Sequence, residues 1–217
     1  MYDPITRIIV SLPVFLLAIV LHELAHGYVA YLLGDDTAKR AGRLTISPVA
    51  HLDFMGTVCF IISSFTGFGF GWAKPVPVAI ERLRNPRRDE VLVTLAGPGA
   101  NFAQAAAWAM LLRLLLWPRV SGSLGDGITH VLLTFFLLGV VLNLVLMVFN
   151  LLPIPPLDGS HVAARLLGAK DPYLIGRLAP LGLILLLILI ATPAFGLISH
   201  AIVEPLASLL VGMPIGV

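Results

Sequence analysis

The chain has 217 residues, 58% of them hydrophobic and only 12% charged, with a mean hydropathy of +0.96. A soluble domain of this length carries roughly twice that charged share, so the composition excludes an ordinary soluble globule and indicates an integral membrane protein. The net charge of +2 arises from basic residues in short loops, which excludes a nucleic-acid-binding face, and the single cysteine, Cys59, excludes an intrachain disulfide and a multi-cysteine metal site.

The first apolar run covers roughly residues 5–33, with Pro4 near its start and Gly34 just past its end. It is too long for a signal-peptide core and carries no small-x-small cleavage site, so it reads as a retained span. A polar loop, 34–43, leads into a strand-like piece, Leu44–Ser47, then Pro48 and the cluster His51-Leu52-Asp53. The apolar segment from Phe54 to Phe65 is only about 12 residues long, a length that suits a re-entrant piece better than a crossing. Gly67, Gly69 and Gly71 follow, and Gly71–Val78 is extended by its prolines and valines; proline belongs on a strand edge. A second span, about 91–116, opens with Ala96-Gly97-Pro98-Gly99-Ala100-Asn101. The third, about 128–152, must stop at Pro153-Ile154-Pro155-Pro156, where prolines remove donors and clash with the preceding turn. Two more apolar stretches, about 174–192 and 195–212, part near Pro193. The expected fold is an all-α polytopic membrane protein of five to six transmembrane helices. A re-entrant segment and short membrane-associated β-strands are expected between the first span and the 91–116 span. It reads as one transmembrane domain, 1–217, with its core at 5–165 and accessory helices at 172–212.

The chemistry concentrates in Leu21-His22-Glu23-Leu24-Ala25-His26-Gly27, where Glu23 is the sole charged residue between Ile8 and Leu33. Histidines four apart on a helix lie about 40° apart around its axis. Both imidazoles can therefore reach one zinc ion, with the intervening glutamate close enough to handle a proton from water at the metal. A charge at that depth in lipid is expensive, which argues against an incidental motif. A catalytic zinc usually takes three protein ligands, and Asp158 is the best candidate for the third. The proline break before it exposes backbone, tolerated at membrane depth only where protein buries it or it lines a cavity. The alternative is that Asp158 caps the helix beginning near Gly159. Asn101 and Asn150 either bind substrate or an oxyanion or serve as interhelical hydrogen-bonding groups; for Gln104 and Asn143 the interhelical role is favoured. His51 and Asp53 read as a solvated interfacial pair in preference to site residues. His161 is either a second-layer group behind Asp158 or a helix-surface histidine.

The ends of these spans constrain topology. If the His-Glu-x-x-His end of span one, the start of the 91–116 span and Asp158 meet, all three lie on one side of the membrane, and 54–66 cannot cross. That side then holds Lys39, Arg40, Arg43, Lys74, Arg82, Arg84, Arg87, Arg88, Arg165, Lys170 and Arg177, against Arg7, Arg113 and Arg119 opposite. Basic excess marks the cytoplasmic face, so the motif end is expected inside a cell membrane and the N-terminus outside.

Taken in order, Leu21–Gly27, Gly97-Pro98-Gly99-Ala100-Asn101 and Asn150-Leu151-Leu152-Pro153-Ile154-Pro155-Pro156-Leu157-Asp158-Gly159 resemble the site-2 protease family of intramembrane zinc metalloproteases. Gly71–Val78 is similar to the compact prokaryotic branch, without an inserted PDZ-like or appended nucleotide-sensing domain. The resemblance covers about residues 10–165. It implies a Zn2+ bound by His22, His26 and Asp158, with Glu23 catalytic, and cleavage of transmembrane substrates near the cytoplasmic side. A helical substrate must unwind first, and Trp72, Val76 and Val78 are the expected residues for pairing with it as an added strand. The expected partners are transmembrane proteins and the lipid bilayer. The alternative function is a metal-ion or proton transporter using the same ionisable residues.

Overall fold

The computed structural model describes residues 4–66, 71–169, 171 and 174–216; the expectations placed on Gly67, Gly69 and Lys170 fall outside these. Helix α1 runs Pro4–Leu32, followed by two short helices, α2 (Thr37–Arg40) and α3 (Pro48–His51), and then α4 (Phe54–Thr66). A 3-10 turn at Ile80–Arg82 precedes α5 (Pro86–Leu115) and α6 (Pro118–Leu124). Then come α7 (Asp126–Asn150), α8 (Asp158–Leu166) and α9 (Leu174–Ala191). The chain closes with α10 (Pro193–Ile198), a π turn at Ser199–Val203 and α11 (Glu204–Val211).

The described residues are helical, with no strand among them. The strands expected at Leu44–Ser47 and Gly71–Val78 are corrected to irregular backbone, in which one isolated antiparallel bridge joins Leu52 to Ala73. Proline at 75 and 77 explains why no ladder propagates, since neither residue has an N–H to donate. Four helical stretches are long and apolar enough to cross a membrane: Ile9–Leu32, Asp126–Asn150, Leu174–Ala191 and Pro193–Val211. The bent pair α5 and α6, meeting at 77°, makes a fifth if it counts as one span. Helix α4 has 13 residues, about 20 Å of rise, and is too short to cross the ~30 Å hydrocarbon layer. The chain is a multi-pass membrane protein, and Leu181, Leu183, Ile184, Leu185, Leu187 and Ile188 on α9 are exposed as lipid-facing residues are.

Helix α5 is central: it packs along α7 and α1 and touches α8 and α11. Its small residues Ala105 and Ala109 let α7 approach, and Val140, Leu144, Val148, Val203, Ala207 and Val211 close the core around them. Phe15 and Ile19 of α1 pack with Phe60 of α4, the two phenyl rings stacked at 4.1 Å. Asp53 caps α4, its Oδ1 accepting from the Gly56 N–H at 2.8 Å. The α5–α7 seam is tightest where Trp108 lies over Gly139, and a Cβ there would sit 2.6 Å from the indole ring. Gly139→Ala should therefore destabilise the protein by about 1–3 kcal/mol through overpacking, read as a lowered unfolding midpoint in detergent. An unchanged midpoint would contradict this packing.

Candidate metal centre

Three elements place three donors at one point. His22 and His26 project from α1 one turn apart, and Asp158 is the first residue of α8, after the turn that follows α7. The Nε2 atoms of His22 and His26 lie 3.0 Å apart, and the Asp158 Oδ2 lies 3.2 Å from the first and 3.4 Å from the second. Leu157 occupies the N-cap position of α8 and Asp158 lies one residue inside the helix, so Asp158 is not its N-cap.

The outward nitrogens fix the protonation of both rings. His26 Nδ1 is 2.7 Å from the Val93 carbonyl, and a carbonyl only accepts, so Nδ1 carries the proton. His22 Nδ1 lies 2.6 Å from Asn101 Oδ1 and donates in the same way, because the Asn101 amide nitrogen is turned toward Asn143 Oδ1, 3.0 Å away, and the Ala18 carbonyl. When the rings are neutral, as metal ligation requires, these Nδ1–H bonds leave both Nε2 lone pairs facing inward. Two ring lone pairs and a carboxylate oxygen face one another, and Asp158 Oδ2 is buried with no hydrogen-bond donor. Such a set repels itself unless a cation sits among its members.

The donors fit zinc by type and by spacing. Two imidazoles and a carboxylate are a common catalytic set, and bonds of about 2.0–2.2 Å to a tetrahedral ion separate neighbouring ligand atoms by ~3.3 Å. His22, His26 and Asp158 form the one group of three or more potential ligands found among the described residues. Gly97 makes room for it: a Cβ there would lie 2.6 Å from His22 Cε1 and closer still to His26 Nε2.

Glu23 lies beside this group, and its Oε2 accepts from the Val76 N–H at 2.8 Å. That contact bears on the strand-pairing expectation. The Val76 side chain is buried over Gly27, and Val78 packs on the Ala30, Leu83 and Val93 cluster. The Val76 amide is thus held by Glu23, while Trp72 is half exposed on the flank. Asn101 is fully buried and accepts from the His22 ring, the interhelical hydrogen bonding that was one of its two expected roles. Asn150 donates to the Leu146 carbonyl one turn back, at 3.0 Å. His51 is fully buried, not solvated, and its ring holds the Thr45 carbonyl at 2.8 Å. His161 faces Glu90 Oε1 at 3.4 Å. The sequence reading missed Val93, whose backbone carbonyl no side-chain pattern advertises. It also missed Glu90, which pairs with Arg165 and ties α8 to α5; its sole signal was an acid in the first turns of a span.

A polytopic bundle enclosing two histidines and a carboxylate beside a glutamate defines a membrane zinc-hydrolase class of protein. Residues 120–189 match Peptidase family M50. The chain is 37% identical over 195 residues to YwhC of Bacillus subtilis, whose name describes it as a zinc metalloprotease; the match covers 89% of this chain and 85% of that one. It is 30% identical over 189 residues to Rip2 of Mycolicibacterium smegmatis, covering 83% of this chain and 66% of that one. It is also 30% identical over 181 residues to Rip2 of Mycobacterium tuberculosis, covering 82% and 65%; both are likewise named for zinc metalloprotease activity. No solved structure matches the chain. The chain belongs to the site-2 protease family, peptidase family M50, and is a zinc-dependent protease. The transporter alternative is set aside.

Removing the group that orients His22 tests the site without touching a donor. Asn101→Leu, similar in volume, should weaken zinc binding about 10–100-fold in competition with a chelator. Wild-type affinity in this variant would contradict the tautomer argument.

Proposed function

We propose that this protein is an intramembrane endopeptidase that hydrolyses peptide bonds within or near the transmembrane segments of membrane-protein substrates. The observation that carries the reading is the convergence of three potential zinc ligands next to Glu23 inside an apolar helical wall. His22, His26 and Asp158 hold the zinc, and Glu23 is the proton-handling carboxylate. When bound, Zn2+ supplies Lewis acidity and makes water acidic enough to deprotonate near neutral pH. Asn101 and Val93 hold the two rings so that only Nε2 faces the ion. Glu23 accepts the proton that water gives up and later returns it to the departing amide nitrogen. The apolar bundle around them limits water to what enters the cleft, which strengthens each electrostatic contact inside.

Residues 1–217 act as one transmembrane unit in this reading, with 172–212 accessory to the 5–165 core. In this reading the site faces the cytoplasm and the N-terminus lies outside, supported by the excess of basic residues flanking the site, from Lys39 and Arg40 through Arg88 to Arg165. Substrates are transmembrane proteins that reach the cleft from the surrounding bilayer.

Co-expression with candidate single-span proteins, followed by sequencing of product ends, tests the reading. Cleavage should fall about 10²–10⁴-fold in Glu23→Gln while the purified variant keeps its zinc. A glutamine variant that cleaves at the wild-type rate would sink the assignment.

A further inference from the structure

The loop after α1 buries an arginine that forms no ion pair with a carboxylate among the described residues. Arg43 is 8% exposed, and its Nη2 donates to two successive carbonyls, Lys74 at 2.6 Å and Pro75 at 3.3 Å. Burying a guanidinium is costly, and backbone carbonyls are a modest return unless the position of that backbone matters. Its own backbone is set by α2, the Arg43 N–H donating to the Ala38 carbonyl at 2.9 Å.

The gripped backbone is short, stiff and anchored at both ends. The Lys74 peptide is held on its other side as well, its N–H donating to the His51 carbonyl at 2.8 Å. Downstream, the Ala79 N–H donates to Oδ2 of the fully buried Asp35 at 2.7 Å. Between these anchors Pro75 and Pro77 fix φ and carry no N–H. Val76 is thus the one residue from 75 to 77 with an amide to give, and it gives it to Glu23 Oε2 at 2.8 Å.

We propose that Arg43 is a positioning residue for Glu23: it sets residues 74–79 so that the Val76 N–H orients the carboxylate. The bond occupies Oε2 of Glu23 and leaves Oε1 to take the proton. A lysine cannot span both carbonyls with a planar fork, so it should serve only in part. The proposal rests on the reading of Glu23 as the proton-handling group.

The test uses the full chain in detergent micelles with bound zinc. The probe is a single-span reporter whose transmembrane segment is broken by an Asn-Pro pair. Arg43→Gln should keep wild-type zinc content and unfolding midpoint. Its Val76 amide should exchange with deuterium about tenfold faster or more, as expected for loss of a hydrogen bond to a charged group. Its kcat should fall about 10–100-fold with KM unchanged within about twofold. Arg43→Lys should regain part of kcat, and Val76→Pro, which removes the N–H directly, should show the same kcat loss. If Arg43→Gln fails to fold, the lysine and proline variants carry the test. Wild-type kcat in Arg43→Gln, unchanged Val76 exchange, a loss confined to KM, or loss of zinc would each overturn the proposal. Failure of the functional reading looks different: Glu23→Gln would then cleave the reporter at the wild-type rate. An inactive Glu23→Gln beside a fully active Arg43→Gln refutes the positioning role alone.

Discussion

Three lone-pair acceptors within 3.4 Å of one another, enclosed by apolar helices, form the condition on which the rest of the molecule depends. In water such a set would be solvated and would drift apart. In a low-dielectric wall the repulsion among two ring nitrogens and a carboxylate oxygen is felt almost unscreened, and only a cation reverses its sign. Metal binding needs its ligands deprotonated, so the protein must keep protons off both Nε2 atoms. It does this from behind, by giving each Nδ1–H an acceptor that cannot donate back. The pairings His26 with Val93 and His22 with Asn101 follow the antiparallel run of α1 against α5, so the helix contact and the tautomers are fixed together.

Helix α5 acts as the template for all three donors. Its Val93 carbonyl and Asn101 amide hold the rings, and Gly97 between them leaves the space that the rings fill. One turn earlier, Glu90 reaches α8, where Arg165 and His161 bind its two oxygens. Asp158 begins that same short helix, so an ion pair two turns along it sets where the carboxylate stands. Glu90 is nearly buried, and desolvation penalises it; the Arg165 guanidinium and the His161 ring supply the compensation that a buried carboxylate requires. Asn101 in turn is held by Asn143, whose own nitrogen donates to the Gly139 carbonyl, which extends the polar chain into α7. The core beyond this chain is ordinary small-residue helix packing, which fixes α5 and so fixes the site.

Much of this was legible in the sequence because it follows from short-range geometry. Histidines at i and i+4 share a helix face wherever that helix lies, and prolines 153, 155 and 156 end a helix whatever surrounds them. The long spans were legible as apolar runs, with ends displaced by a few residues. Helix α5 begins at Pro86, not near 91, because proline at the first helical position and Asp89 accepting from the Asn85 N–H carry the helix into the charged loop. What pattern reading cannot see is partner choice. Asn101 had two readings, and nothing in the pattern pointed to His22 Nδ1 as its partner. His51 looked interfacial because polar residues near a span end usually are, yet tertiary contacts bury it completely. Arg43 and Asp35 sat in a polar loop where a charge ordinarily carries no information.

The extended stretch at 71–79 shows how a local reading leaves out the contacts the backbone makes. Its prolines and valines suggest an edge strand, and the backbone there is indeed extended. An edge strand, however, offers alternate N–H and C=O groups to a partner. Here Pro75 and Pro77 have no N–H, the Lys74 and Ala79 amides are held by His51 and Asp35, and the Val76 amide is held by Glu23. The Lys74 and Pro75 carbonyls are occupied by Arg43. A substrate strand that paired with Val76 as an antiparallel partner would have to take its N–H from Glu23, and would disorder the carboxylate at the moment the reaction needs it. The same sequence is well suited to a rigid bracket, since proline fixes φ and removes the donors that would let the segment pair elsewhere. The segment from Lys74 to Ala79 is thereby held as a rigid bracket whose Val76 amide serves the Glu23 carboxylate.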